Sequence, residues 1–422
     1  MAESSKRADR RGARSSAGEA ADEGSAASQN AISVAGPAAA GRGATIRADV
    51  GAADPGDTIP AIADLRGIDQ PLRVLSLDGE RTGAADPPYP TALGPEQHRG
   101  MLTDMIVTRR VDTELVNLQR QGQLALYASC LGQEAAQVGV ATAMGVQDWL
   151  FPEYRELGLF VARGVDPVGI AMMWRGAYHG GRGLLEKHTS PMCIVVGANA
   201  LHATGFALGV KLDGGDEVVA ASMGDGALSE GDVHEAFNFA AVFHVPCLFV
   251  VENNQWAISV PLRAQTKSAT LAQKAVAYGM PGVRCDGNDV LATYAVASDA
   301  IRRIRAGGGP LLLELVTYRR GAHTTSDEPK RYRDDSELEQ WVAMDPIDRY
   351  RRHLSAEGIW GPEEEEKAAA SGDEVATRVR AEVYDSRDPS AAGLFDLVFA
   401  KPTKELERQR AQLERELSRE RR

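Results

Sequence analysis

Two polar motifs in residues 223–259, MGDGALSEGDVHEAFNFAAVFHVPCLFVVENNQWAIS, end consecutive apolar strands. Gly224 and Gly226 permit a tight turn, so Asp225 projects a carboxylate from the end of the first strand. Because the helix between the strands makes a right-handed crossover, Asn254 at the end of the second strand is expected at the same sheet edge. A carboxylate, a carboxamide and a main-chain carbonyl from the following loop form the oxygen shell that magnesium prefers, with room for phosphate oxygens and water. The motifs predict a magnesium site that binds a diphosphate cofactor.

The glycine-rich turn has two other interpretations. The turn could be an ordinary strand-to-helix connection with an incidental aspartate, but the spacing to a strand-terminal Asn-Asn pair argues against it. A Gly-x-Gly turn that opens a helix can also bind the pyrophosphate of a dinucleotide. That fingerprint has a third glycine, whereas here Ala227 begins an Ala-Leu-Ser sequence after the second one. The fingerprint also has an acidic residue about 20 positions further on, at the end of the next strand, and none is found there.

Composition excludes several classes of protein. The 422 residues carry a net charge of −12, and the isoelectric point is about 5.3, so a nucleic acid is not an expected partner. The chain contains no apolar run of about 18 residues, so no membrane span is expected. The four cysteines lack metal-ligand spacing, and Cys193 and Cys247 lie in apolar runs, as buried free thiols do. These features predict a cytoplasmic protein, with an organellar matrix as the alternative.

The order of apolar and amphipathic segments predicts the fold class and four regions. Short apolar strands alternate with helices, which is typical of an α/β fold with a parallel sheet flanked by helices on both faces. A long helix beginning at Pro95 is expected to cover one face of the sheet. The predicted regions are a disordered tail (1–60), an N-terminal extension (61–94), the main α/β domain (95–345) and a helical C-terminal region (346–422).

Residues from about 95 to 345 resemble the α subunits of heterotetrameric thiamine-diphosphate-dependent 2-oxoacid dehydrogenases. The resemblance rests on the 223–259 motif and on four further blocks in the same order. These are NLQRQGQLALYASCLGQEAAQVG (117–139), DWLFPEYRELG (148–158), AYGMPGVRCDGNDV (277–290) and TYRRGAHTTSDEPKRYR (317–333). The resemblance implies a thiamine-diphosphate-binding fold, with thiamine diphosphate and Mg²⁺ as cofactors.

The resemblance also implies roles for individual residues around the cofactor. Arg155 and Tyr154 are suited to phosphate, since a guanidinium can bind two oxygens and a phenol can donate one hydrogen bond. The alternative for this pair is a solvated helix start. The implied metal ligands are Asp225, Asn254 and the main-chain oxygen of Trp256. The implied cofactor-binding residues are Tyr154, Arg155, Val196 (from a segment near Ile194–Val196 along the cofactor rings), Gly224, Asp225, Gly226, Ala227, Asn254 and His323.

The loop at 319–333 is too polar for a core and too long for a tight turn, which favours a functional loop. His323 is the candidate catalytic proton donor toward a lipoyl group, because histidine titrates near neutral pH. The alternative is an ordinary capping or surface histidine. In some relatives a phosphorylated serine follows this histidine, whereas Thr324 follows here, so the same regulation is not expected. The resemblance implies that other loop residues contact the lipoyl-bearing domain, namely Arg319, Asp327, Tyr332 and Arg333.

Partners follow from what the chain lacks. Thiamine catalysis needs a carboxylate beside the aminopyrimidine ring, and the predicted regions include no second domain to supply it. The resemblance implies that this carboxylate is a glutamate of a β subunit, so the chain alone should be inactive. An α2β2 heterotetramer and a lipoyl-bearing dihydrolipoyl acyltransferase are the implied partners. The blocks QRQGQLALY, YRELG and SEGDVHEAFNFAAVF resemble the branched-chain enzymes more than the pyruvate enzymes. The resemblance implies a branched-chain 2-oxoacid such as 3-methyl-2-oxobutanoate as the substrate, and a pyruvate dehydrogenase α subunit is the alternative. A nucleotide-binding oxidoreductase or a non-catalytic assembly subunit is the alternative from another class.

Overall fold

The computed structural model describes residues 65–83, 93–177, 181, 183–386, 392–396 and 398–420. The predicted disordered tail lies outside these residues. The strands are β1 (Leu65–Arg66), β2 (Trp149–Phe151), β3 (Val219–Gly224), β4 (Cys247–Asn253), β5 (Trp256–Ala257), β6 (Val260–Pro261), β7 (Gly282–Asp286) and β8 (Leu311–Val316). The α-helices are α1 (Pro95–Arg120), α2 (Glu134–Ala143), α3 (Leu157–Ala162), α4 (Pro167–Arg175), α5 (Ala198–Asp213), α6 (Gly231–Val242), α7 (Leu262–Gln265), α8 (Val290–Arg303), α9 (Asp335–Val342), α10 (Pro346–Ala356), α11 (Pro362–Asp385) and α12 (Lys404–Glu420).

A six-stranded parallel sheet in the order β1-β7-β8-β4-β3-β2 organises the fold. Successive side chains of a strand point to opposite faces, and strands β3, β4 and β8 are apolar on both. One face packs on α5 and α6 through residues such as Ala221 and Phe249. The other face packs on α2 and α8 through residues such as Ala220 and Leu248. This arrangement confirms the predicted α/β architecture with helices on both faces.

Helix α1 does not cover the sheet as predicted. Its apolar residues pack on other helices: Met101 and Met105 lie with α2 and α10, and Val111 and Leu115 lie with α3 and α11. Because α2 and α8 already cover that face of the sheet, α1 forms an outer layer. The C-terminal region is helical, as predicted.

Two further sequence expectations are tested by the fold. None of the helices in the described ranges is long and apolar enough to cross a membrane. All four cysteines are free, but Cys193 is only partly buried, unlike Cys247. Cys193 lies in an irregular segment before α5, not inside a strand or helix, so the prediction of a buried thiol is wrong there.

Candidate active site

The carboxyl ends of β3 and β4 place the two polar motifs side by side. Gly224 pairs with Glu252 in the sheet register, so the residues that follow each strand leave at the same edge. Asp225 opens a 3₁₀ turn before α6, and Asn254 follows β4 directly. Both side chains are buried, with exposed fractions of 2% for Asp225 and 5% for Asn254. The predicted convergence of these two residues is therefore present.

Three oxygen atoms meet at this edge. The site occupied by the Asn254 side-chain oxygen lies 3.1 Å from the main-chain oxygen of Trp256 and 3.2 Å from Asp225 Oδ1. Magnesium binds oxygens at about 2.0–2.1 Å in octahedral geometry, which puts neighbouring ligand oxygens about 3 Å apart. In this orientation the Asn254 oxygen accepts the Trp256 main-chain N–H at 3.3 Å and faces the other two oxygens, and a cation between the three oxygens would stabilise their close approach. The geometry fits the implied magnesium ligands.

The turn after Asp225 is tightly packed. A Cβ atom at position 226 would lie 2.7 Å from the Cβ of Ala257, so a glycine is needed at this point. The main-chain amides of Gly226 and Ala227 belong to the first residues of the 3₁₀ turn, where backbone N–H groups lack partners within the turn and are suited to an anion. This local geometry fits their implied position beside a diphosphate.

The three-oxygen cluster lies in the wall of a cavity of about 360 Å³. This volume is within the range of small-molecule binding sites. The cavity lining includes every residue implied to bind the cofactor: Tyr154, Arg155, Val196, Gly224, Asp225, Gly226, Ala227, Asn254 and His323. Segments that are far apart in the sequence thus form one site.

Arg155 is buried in this site and does not lie on a solvated helix start. Only 7% of its surface is exposed, and its guanidinium lies 5.5 Å from the centre of the Tyr154 ring. Nη1 donates to the Ser129 main-chain oxygen at 2.8 Å, and Nη2 donates to the His323 main-chain oxygen at 2.8 Å. A guanidinium fixed in this way at the cavity wall is prepared to bind a phosphate.

Three buried glutamates in the cavity wall were missed by the sequence analysis. Glu153 accepts hydrogen bonds from the amides of Gly197 at 2.9 Å and Gly224 at 3.4 Å, and its burial raises its pKa to about 7. Burial likewise raises the pKa values of Glu156 and Glu252. The available signal was their position, since Glu153 and Glu156 flank Tyr-Arg and Glu252 precedes Asn-Asn. Protonation of these groups reduces the negative charge of the cavity, which favours an anionic ligand.

His323 does not titrate near neutral pH as expected. Burial, followed by the positive charges of Arg155 and Arg319, lowers its pKa to about 4. Arg155 Nη2 lies 3.1 Å from Nδ1, and because arginine only donates hydrogen bonds, the Nδ1 atom accepts and the proton lies on Nε2. At neutral pH His323 is therefore a neutral imidazole whose Nε2–H is its one donor.

The loop residues implied to contact a lipoyl-bearing domain hold the loop together. The Asp327 carboxylate accepts the His323 main-chain N–H at 2.8 Å and the hydroxyl of Tyr332. Arg333 donates to the main-chain oxygen of Arg319 at 2.6 Å. Arg319 is fully buried and donates to Trp256 O at 3.0 Å. A direct docking contact by Arg319 is thus excluded in this conformation, because its guanidinium lies inside the loop.

The segment before α5 forms the open side of the cavity. Ile194 and Val195 are 61% and 69% exposed, and Val196 is 37% exposed. Ile194 and Val196 line the cavity beside Leu126 and Trp174, which form an apolar wall. On this side of the cavity, the apolar wall continues into the exposed apolar side chains of Ile194 and Val195.

Comparison with known proteins gives consistent matches. Residues 103–390 match the dehydrogenase E1 component family. The 3-methyl-2-oxobutanoate dehydrogenase subunit alpha of Mycobacterium tuberculosis is 49% identical over 350 residues, which is 83% of this chain and 95% of that protein. The pyruvate dehydrogenase E1 component subunits alpha of Acholeplasma laidlawii and Bacillus cereus are 41% identical over 268 residues and 35% identical over 331 residues. These alignments cover 63% and 78% of this chain, and 78% and 88% of the respective relatives.

Proposed function

This chain belongs to the dehydrogenase E1 component family and is a 2-oxoacid dehydrogenase α subunit, and we propose that it acts on 3-methyl-2-oxobutanoate with thiamine diphosphate and Mg²⁺. Membership confirms the resemblance found in the sequence and argues against a nucleotide-binding oxidoreductase. The proposed location is the cytoplasm, which the four free cysteines support because disulfides are rare in reducing compartments.

The observation that carries the proposed cofactor site is the convergence of Asp225, Asn254 and the Trp256 carbonyl. These oxygens would hold the metal, while Arg155, Tyr154 and the turn amides would orient the diphosphate. When bound, thiamine diphosphate supplies the carbanion stabilisation that a 2-oxoacid needs to lose carbon dioxide. The chain contributes positioning, charge and exclusion of water at this end of the cofactor.

The apolar cavity wall supports a branched-chain substrate. Leu126 and Trp174 offer surface that a branched side chain would bury and that the methyl group of pyruvate would leave largely unused. The 49%-identical relative from Mycobacterium tuberculosis is named for 3-methyl-2-oxobutanoate, in agreement with this preference. Pyruvate is the second candidate substrate, because other relatives are named pyruvate dehydrogenase.

The exposed side of the site supports a partner subunit. Ile194, Val195 and Ile258 expose apolar surface at the cavity edge, and such surface is often covered by another protein. The three glutamates in the wall are hydrogen-bonded within this chain. We propose a β subunit that completes the pyrimidine side in an α2β2 heterotetramer. His323 and its loop are proposed to meet the lipoyl group of a dihydrolipoyl acyltransferase.

Mixing experiments test the proposed function. The α chain, a candidate β subunit and their mixture are assayed with an artificial electron acceptor on 3-methyl-2-oxobutanoate and on pyruvate. Only the mixture is expected to turn over, with kcat/KM at least ~10-fold higher for the branched substrate, as expected when a pocket distinguishes added methyl groups. Robust turnover by the α chain alone would contradict the partner proposal. A preference for pyruvate would transfer the assignment to the second candidate.

A further inference from the structure

Asp225 and Asn254, the two side chains at the proposed metal site, each form a hydrogen bond to a glutamine through the polar atom that does not face the metal. Asp225 Oδ2 accepts a hydrogen bond from Gln265 Nε2 at 2.6 Å. Asn254 Nδ2 donates to Gln133 Oε1 at 3.1 Å. We infer that Gln265 and Gln133 are positioning residues that determine which atoms of Asp225 and Asn254 face the cation. This inference rests on the magnesium site of the proposed function.

Gln265 restricts Asp225 to one ligand oxygen. Gln265 lies at the end of the short helix α7, and its Nε2 also donates to the Val260 main-chain oxygen at 3.0 Å. Because Gln265 Nε2 donates to both Asp225 Oδ2 and Val260 O, the orientation of the Gln265 amide is determined. With Oδ2 engaged in this way, Asp225 offers Oδ1 alone to the metal. Single-oxygen ligation suits the small octahedral shell of Mg²⁺, whereas Ca²⁺ readily accepts both oxygens of a carboxylate.

Gln133 determines the orientation of the Asn254 amide. If the Asn254 amide is turned, its nitrogen lies 3.1 Å from Trp256 O and 3.2 Å from Asp225 Oδ1, close enough to hydrogen-bond to both. That arrangement closes the cluster without a cation, and it requires Gln133 to turn as well and donate to Asn254. An acceptor at position 133 thus favours the orientation that binds a metal, and a donor favours the orientation that excludes it.

Both glutamines retain a free atom that a bound metal complex can satisfy. Gln133 is fully buried and lines the cavity. Within the described part of the chain, Gln133 Nε2 and Gln265 Oε1 are buried without a hydrogen-bond partner. Buried polar atoms are nearly always paired, so a missing acceptor is expected near Gln133 and a missing donor near Gln265. Phosphate oxygens and metal-bound water are an acceptor and a donor of the required kinds.

Metal selectivity tests the role of Gln265. In the α–β complex, Mg²⁺ or Ca²⁺ is titrated calorimetrically at saturating thiamine diphosphate. Gln265→Met should weaken Mg²⁺ binding ~10- to 100-fold, as loss of an outer hydrogen bond to a ligand does. Ca²⁺ binding should weaken less, because the released Asp225 can ligate through both oxygens. Gln273→Met, the same change on a neighbouring segment whose hydrogen bonds stay within residues 268–273, should change neither. Unchanged Mg²⁺ binding, or equal weakening for both metals, would overturn the role.

A pair of substitutions at position 133 gives an independent test. Gln133→Glu, when ionised, can only accept from Asn254 and should bind Mg²⁺ more tightly than Gln133→Met, although it lacks the Nε2 donor of the parent. Gln133→Met removes the acceptor and should weaken binding ~10- to 100-fold. Binding by Gln133→Glu that is no tighter than by Gln133→Met would refute the orientation role. Failure of the parent complex to bind thiamine diphosphate with Mg²⁺ would refute the proposed function itself, whereas a parent that binds both leaves only the roles of the two glutamines in question.

Discussion

Asp225→Ala is expected to abolish magnesium-dependent binding of thiamine diphosphate while the chain remains folded. The substitution removes the one carboxylate among the three converging oxygens, so its effect should exceed the ~10- to 100-fold loss typical of an outer-shell change. The fold should persist, because Asp225 lies at the sheet edge and belongs to none of the apolar core clusters. Burial also raises the pKa of Asp225, so its ionised form adds a desolvation cost that alanine removes.

Calorimetry and thermal unfolding together measure this effect. Asp216→Ala is the matched control, because Asp216 is an exposed carboxylate beyond the opposite end of strand β3. The control should bind thiamine diphosphate as the parent does, and both variants should retain cooperative unfolding. An Asp225→Ala complex that binds the cofactor with parental affinity would remove Asp225 from the metal site.

His323→Ala is expected to reduce transfer to the lipoyl group by at least ~10²-fold, the loss typical of a general acid. The decarboxylation half-reaction, measured with an artificial electron acceptor, should suffer less. In the structure Arg155 donates a hydrogen bond to Nδ1 of His323, so the Nε2–H of His323 is the group that can face a lipoyl sulfur. Burial and then the positive charges of Arg155 and Arg319 lower the pKa of His323 to about 4, and a bound diphosphate would offset those charges and raise this pKa toward neutrality.

Saturating cofactor separates this role from a contribution to cofactor binding, since Arg155 links His323 to the proposed diphosphate site. His202→Ala, an exposed histidine on α5, serves as the control and should keep both activities. Parental lipoyl-dependent activity of His323→Ala at saturating cofactor would show that the proton comes from another group.

The sequence was informative where local order determines position. Asp225 and Asn254 were predicted to meet because each ends a strand, and parallel strands joined by a right-handed crossover end at one edge. The same logic predicted the sheet and its covering helices. Tyr154 and Arg155 came from the family resemblance, and the structure places both in the cavity beside the turn.

Properties that depend on distant packing were not predictable in the same way. The low pKa of His323 comes from its burial and from Arg155, which is 168 positions away in the sequence. The burial of Arg319 depends on carbonyl groups of Trp256 and Ile258 that accept its hydrogen bonds. Helix α1 showed a regular apolar pattern, but that pattern does not distinguish packing on a sheet from packing on other helices. In each case the missing information was the identity of the neighbour.

Calorimetric titration of thiamine diphosphate into the α–β complex tests the proposed function most directly. Binding is expected with Mg²⁺ present, and it should be lost when the metal is chelated. NAD, which a dinucleotide-binding turn would accept, should give no binding heat under the same conditions. Binding of NAD, or binding of thiamine diphosphate that is unaffected by removal of the metal, would contradict a cofactor site built on Asp225, Asn254 and the Trp256 carbonyl.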